Sequence, residues 1–382
     1  PGKAYIMAEY KVTEDYSHTD AVVVNVVESA GSKPKTASRR SSSPADVLEK
    51  IIEAEKGKKD IYTARLQPGT ETKLTADDDL TLDIPAGFAV NSADINISRY
   101  DNQEELMKKF PGMKLLSPVY DISLNKGEST GTPVSVSFRY EADQAADLRR
   151  IAVYRLDEQQ GGWDYIGGTP DKEKGIITVR LSSFSKYAVL ENSSLRLLDD
   201  VDDARWSRDV IYSLVHMNIV EGIKVGEKYY YMPGNYITRA EFIKLLSAGL
   251  EAGDTEADSV QLPFADKKEI PDWALSHIKA AYANGWVNGR IAGDKRLFGP
   301  KEQITREEAC AILGRMLGDG IKPKRVYFTD RNQVAKYAIN YLDILADMGV
   351  LSGYGDDTFR PKNFITREEA AAMIDRYLKN AS

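Results

Sequence analysis

Ile237-Thr238-Arg239-Ala240-Glu241, Ile304-Thr305-Arg306-Glu307-Glu308 and Ile365-Thr366-Arg367-Glu368-Glu369 are three versions of one pentapeptide, roughly sixty to seventy residues apart. Each is followed by apolar residues at helical spacing, such as Phe242, Leu245, Leu246 and Leu250, so each opens a helix. Threonine with glutamate three residues later is a capping box: the hydroxyl accepts from the third helical N–H, and the carboxylate reaches back to the threonine N–H. Thr238 with Glu241, Thr305 with Glu308 and Thr366 with Glu369 are expected to be such caps. The arginine between them is not needed by the cap. A cation in the first turn opposes the helix dipole, so its threefold recurrence at Arg239, Arg306 and Arg367 asks for an anionic partner.

Three further landmarks precede each pentapeptide in the same order. An aspartate comes first: Asp200, Asp266 and Asp330. An aromatic then opens an earlier helix: Trp206, Trp273 and Tyr337. That helix leaves through an apolar-glycine exit at Gly222, Gly289 and Gly353, read as helix stops that also allow close backbone approach to a ligand. Each repeat therefore reads as helix, long loop, helix. A single repeat cannot bury its apolar face alone, so the three are expected to fold as one unit.

These residues resemble the S-layer homology family, over about 195–380. The third repeat is nearest to its pattern, through Phe328-Thr329-Asp330, Tyr337-Ala338, Gly353-Tyr354-Gly355-Asp356-Asp357-Thr358-Phe359-Arg360-Pro361 and the closing pentapeptide. The first repeat departs at Leu198 and Ser207 and in the loop from Lys224 to Pro233, and the third has Tyr337 for tryptophan. The resemblance implies a pseudo-threefold, all-α unit with one helix of each repeat in a central bundle. It implies a non-catalytic, extracellular module that holds a protein on secondary cell-wall polysaccharide, often with pyruvylated amino sugars, through grooves between repeats. It assigns Arg239, Arg306 and Arg367 to the ligand's carboxylate, beside free first-turn amides. Salt bridges to Asp200, Asp266 or Asp330 remain the alternative. Trp206, Trp273 and Tyr337 are either sugar platforms or core aromatics.

The N-terminal half reads differently. Residues 21–27 form a β-branched run, 31–44 a Ser-rich linker, and 45–57 a helical pattern. From about 60 to 192 short strands recur: Leu80 to Pro85, Val134 to Phe138, Ile151 to Leu156, Trp163 to Ile166 and Ile176 to Leu181, with a helix over Asn102 to Phe110. This spacing predicts an antiparallel β-sandwich. Ile84-Pro85-Ala86-Gly87, Pro133-Val134-Ser135-Val136 and Phe184-Ser185-Lys186-Tyr187-Ala188-Val189 resemble a sandwich type found beside wall-binding repeats and in ankyrins and netrin receptors. The expected organisation is α+β and multidomain: 1–44 a strand and linker, 45–194 the sandwich, and repeats at 195–255, 256–320 and 321–382.

Composition narrows function. The net charge of −7 argues against a nucleic-acid surface. The one cysteine, Cys310, lies in a helical pattern and reads as a core residue. His18, His216 and His277 lack metal spacing, and no cofactor or metal is expected. Asp77-Asp78-Asp79 reads as an acidic turn. No apolar run is long enough to cross a bilayer. The chain opens Pro1-Gly2-Lys3 without a leader pattern and reads as part of a longer protein. Two other readings stay open: a wall-anchored carbohydrate-active enzyme with its catalytic domain elsewhere, and a self-assembling lattice protein. Peptidoglycan and neighbouring surface proteins are the further partners considered.

Overall fold

The computed structural model describes residues 10–11, 55–56, 61–250, 259–317 and 321–380. The chain divides into two compact units, Pro1–Ser194 and Leu195–Ser382. The run at 21–27 and the linker at 31–44 lie outside the described residues, as does most of the helix expected over 45–57. At its end, Glu55–Lys56 is instead a strand, with Lys56 opposite Tyr62.

The first unit is an antiparallel sandwich. Its strands are β1 (Tyr10–Lys11), β2 (Glu55–Lys56), β3 (Ile61–Leu66), β4 (Glu71–Ala76), β5 (Leu80–Ile84), β6 (Ala93–Arg99), β7 (Met113–Leu115), β8 (Tyr120–Asn125), β9 (Val134–Arg139), β10 (Ile151–Asp157), β11 (Gly162–Gly167), β12 (Pro170–Asp171), β13 (Ile176–Leu181) and β14 (Lys186–Asn192). One sheet runs β1-β4-β5-β9-β13-β12. The other runs β11-β10-β14-β8-β6-β3-β2, with β7 added on β14. Alternation decides which face is inside. Leu80, Leu82 and Ile84 of β5 and Val134, Val136 and Phe138 of β9 point into one core, while their neighbours face out. β14 is apolar on both faces, because Val119, Ala152, Tyr154, Ala188 and Leu190 form a second small cluster. Leu106 and Met107 of the short α1 (Gln103–Met107) pack against that cluster, which explains why a helix interrupts the strand pattern. The acidic turn is real: Asp77 and Asp78 are left-handed, and Arg99 pairs with Asp79 at 2.8 Å.

Among the described residues the second unit holds three helix pairs. They are α2 (Arg208–His216) with α3 (Arg239–Gly249), α4 (Asp272–Ala283) with α5 (Arg306–Arg315), and α6 (Ile339–Asp347) with α7 (Arg367–Asn380). The loops of the first two pairs carry hairpins, β15 (Ile223–Val225) with β16 (Lys228–Tyr230) and β17 (Arg290–Ala292) with β18 (Lys295–Leu297). The pseudo-threefold arrangement is written in three backbone bonds. Ile304 N donates to Ile237 O, Ile365 N to Ile304 O, and Ile237 N to Ile365 O, each at 3.1 Å. All three isoleucines are fully buried. α3, α5 and α7 start from this ring, so one helix of each repeat stands around the axis. Each also packs on the next repeat's first helix: α3 on α4, α5 on α6, α7 on α2. One continuous core results, with Cys310 inside it.

The helix stops are not where the sequence reading put them. The left-handed residues that end α2, α4 and α6 are Asn218, Gly285 and Gly349, each four positions before the expected glycine. Gly222, Gly289 and Gly353 serve close packing instead. A Cβ there would lie 2.6 Å from Leu198 Cδ2, 2.7 Å from Phe264 Cε1 and 2.6 Å from Phe328 Cε1, respectively. The period reading missed this because a glycine at a helix exit and a glycine packed under a large apolar side chain look alike in sequence.

Candidate functional site

The three capping boxes form as spacing predicts. Thr238, Thr305 and Thr366 donate their N–H to Glu241, Glu308 and Glu369 at 2.8, 2.9 and 2.8 Å. Each hydroxyl accepts from the N–H of its glutamate at 3.3–3.4 Å. Thr305→Ala is expected to lower the stability of the repeat unit by about 1 kcal/mol. An unchanged thermal melt would remove Thr305 from that role.

The first-turn amides are not free for a ligand, contrary to the sequence expectation. Arg239 N donates to Glu302 O at 2.9 Å, Arg306 N to Asn363 O at 2.9 Å, and Arg367 N to Asn235 O at 2.8 Å. The next amides, of Ala240, Glu307 and Glu368, donate to Pro300, Pro361 and Pro233 carbonyls. In every case the acceptor belongs to the loop of the following repeat, counted cyclically. Loop packing across the seam has consumed the donors that an isolated helix would offer an anion.

The arginines are also engaged across the seams. Arg239 Nε donates to Phe298 O at 2.8 Å and Nη1 to Glu308 Oε1 at 2.9 Å. Arg367 repeats this with Tyr231 O at 2.7 Å and Glu241 Oε1 at 2.8 Å. Their guanidinium carbons lie 5.4 Å from the Phe298 ring centre and 4.8 Å from that of Tyr231. Glu308 and Glu241 therefore split their oxygens, one to their own threonine and one to the preceding repeat's arginine. This answers why a cation stands in the first turn. Burial pulls the Arg239 guanidinium below its usual range, and the Glu308 charge opposes that. Arg306 differs. Tyr354 OH donates to Glu369, leaving Arg306 Nη1 3.9 Å from that carboxylate. Arg306 turns its Nη2 to Ser352 O at 2.6 Å, and its buried Nε has no partner. The salt-bridge alternative thus has the capping glutamates as partners rather than the upstream aspartates.

Those aspartates have a separate task. Asp200 accepts from Tyr231 N and Met232 N, Asp266 from Phe298 N and Gly299 N, and Asp330 from Phe359 N and Arg360 N, all at 2.6–2.9 Å. The second residue of each clamped pair is left-handed: Met232, Gly299 and Arg360. The carboxylate holds this turn within its own repeat.

The aromatics face outward. Trp206, Trp273 and Tyr337 are 59%, 49% and 48% exposed, too open for core closures. Each stands at the start of a first helix, beside the second helix of the preceding repeat. Sequence reasoning overlooked the residue after each arginine, although Ala240, Glu307 and Glu368 stand in the quoted pentapeptides. Glu307 accepts from Ala335 N at 3.0 Å, Tyr337 OH at 3.1 Å and Lys362 Nζ at 2.6 Å. Glu368 accepts from Arg205 Nε at 2.8 Å and Ser207 Oγ at 2.6 Å. Burial, then the Glu307 charge, raises the Tyr337 hydroxyl well above its usual range. In the sandwich, an open pocket of about 350 Å³ is lined by Phe88, Leu124, Phe184 and serines, with no carboxylate in its lining.

Residues 263–310 and 327–371 match the S-layer homology domain, covering most of the second and third repeats. The chain carries an S-layer homology domain. The first repeat joins it structurally, through the same clamp, cap and arginine pairing. The S-layer homology domain is a non-catalytic binding fold. The chain is also 32% identical to an amylopullulanase of Thermoanaerobacterium thermosulfurigenes over 73% of its own length and 14% of that protein. It is 33% identical to cell surface glycoprotein 1 of Acetivibrio thermocellus over 39% of its length and 7% of that protein. It is 30% identical to the surface-layer 125 kDa protein of Lysinibacillus sphaericus over 46% of its length and 15% of that protein. The chain thus spans a small part of these relatives.

Proposed function

We propose that this chain anchors a cell-surface protein non-covalently to secondary wall polysaccharide, outside the cell, through the seams between its S-layer homology repeats. The observation that carries the reading is the set of half-exposed aromatics, Trp206, Trp273 and Tyr337, each fixed at one seam of a closed ring. A flat indole or phenol edge on a rigid frame suits the apolar face of a sugar. Relatives named as surface-layer, cell-surface and cellulosome-anchoring proteins support the same reading. Pyruvylated amino sugars are the proposed preference. Arg239, Arg306 and Arg367 serve this site as the floor that joins neighbouring repeats, and Asp200, Asp266, Asp330, Gly222, Gly289 and Gly353 shape its loops.

A second reading follows from relatives named as an amylopullulanase and an exoglucanase. There the same anchoring would hold a polysaccharide-degrading enzyme whose catalysis resides in the rest of a longer protein. Both readings share one test. The full chain and residues 195–382 are expected to pellet with purified cell walls, and residues 1–192 to stay in solution. Removing the secondary polymer from the walls is expected to abolish pelleting. Binding that survives its removal would point to peptidoglycan or a wall protein instead.

A further inference from the structure

The three seams are not equivalent, and one difference between them is whether the residue after the arginine brings a carboxylate. Ala240, Glu307 and Glu368 occupy corresponding places, since each donates its N–H to the corresponding proline carbonyl of the next loop, Pro300, Pro361 or Pro233. Between repeats 2 and 3 the Glu307 carboxylate fills this place, bridging Lys362, Tyr337 and a backbone amide. Between repeats 3 and 1 Glu368 fills it, held by Arg205 and Ser207. Between repeats 1 and 2 Ala240 brings no carboxylate. Yet the lysine that follows the proline is kept: Lys301 corresponds to Lys362, is exposed, and pairs with no carboxylate among the described residues. Trp273 stands half-exposed at the same seam. Of the other charges there, Arg239 pairs with Glu308 and Arg290 with Glu302, while Asp272 beside Trp273 is exposed.

We infer that the seam between repeats 1 and 2 alone takes the polymer's carboxylate, on Lys301, at the place that Glu307 and Glu368 fill with the chain's own carboxylates in the other two. The inference rests on the anchoring reading and sharpens it. The ligand is an acidic sugar: its carboxylate meets Lys301, its ring face meets Trp273, and a hydroxyl can donate to Asp272. The other two seams are built shut by an internal mimic of that carboxylate. They contribute rigidity and aromatic surface, with no anion specificity.

The test is calorimetric titration of the full chain with purified secondary wall polysaccharide, native and after chemical reduction of its carboxyl groups. Ala240→Glu installs the missing internal carboxylate and is expected to weaken binding about tenfold or more, while the melting temperature holds or rises. Lys301→Ala is expected to weaken binding about as much, whereas Lys362→Ala, the same change in a self-filled seam, leaves affinity unchanged. Reduced polymer is expected to bind native protein as weakly as native polymer binds Lys301→Ala. Native affinity in folded Ala240→Glu and Lys301→Ala overturns the assignment, as does an equal loss in Lys362→Ala. Should Ala240→Glu misfold, the matched lysine pair decides alone. Failure of the unaltered chain to bind native polymer sinks the anchoring reading itself, a result distinct from any of these.

Discussion

Alanine at Arg239, Arg306 and Arg367 together is expected to unfold residues 195–382 at ambient temperature while leaving the sandwich's own transition in place. Arg239 and Arg306 are buried, and Arg367 is nearly so. Breaking a buried pair costs about 3–5 kcal/mol, because the remaining carboxylate keeps its desolvation without its partner. The Arg239–Glu308 and Arg367–Glu241 pairs are close and each adds a carbonyl bond. The looser Arg306 contributes less. Two such losses already match the low end of a domain's total stability, about 5–15 kcal/mol. Differential scanning calorimetry of the full chain reads the outcome directly. A triple variant melting within a few degrees of the parent would show the arginines to be dispensable to the ring and would return them to ligand binding. Arg367→Lys should rescue only part, since an ammonium cannot serve Tyr231 O and Glu241 in one fixed fork.

The second large effect is expected at Asp330. Its buried carboxylate accepts from two consecutive amides, one of them from Arg360, a non-glycine residue held at φ 56°. Hydrogen bonds to a charged group contribute about 1.5–3 kcal/mol each. Asp330→Ala is therefore expected to destabilise the repeat unit by about 3 kcal/mol or more and to release a turn that is strained by itself. Asp330→Asn keeps one acceptor and should lose roughly half as much. Urea melts of the two variants check the order. Equal midpoints for parent and Asp330→Ala would show that the turn holds without its clamp.

The architecture was legible in the sequence because its signals are local and repeated. Alternation marked β5 and β9, recurring short strand-like runs marked β10, β11 and β13, and the Thr-x-x-Glu spacing marked the start of α3, α5 and α7. What sequence could not supply was the partner across each seam. A capping box explains Glu308 completely, so nothing in the local pattern says that its second oxygen meets Arg239. Asp330 and Arg360 are similarly far apart in the chain and meet only through the fold. The aromatics were ambiguous for a physical reason: helix-opening position fixes where Trp273 is attached but not which way the neighbouring repeat leaves it exposed. The residue that separates the seams, Ala240 against Glu307 and Glu368, stood in the repeat itself, but its meaning depends on which loop lies opposite.

The three-isoleucine ring has a consequence for how the chain is made. A stack of repeats can grow one unit at a time, but a closed triangle cannot: Ile237 waits for Ile365 O, and α2 waits for α7. During synthesis the first two repeats emerge with a raw edge that waits for α7 to cover it. Until then the edge of one nascent molecule fits the α7 of another as well as its own, which makes exchange of α7 between copies the natural misassembly. α7 is thus the keystone of the unit: a polypeptide cut short before Arg367 loses the Arg367–Glu241 pair and the packing of α7 on α2 together.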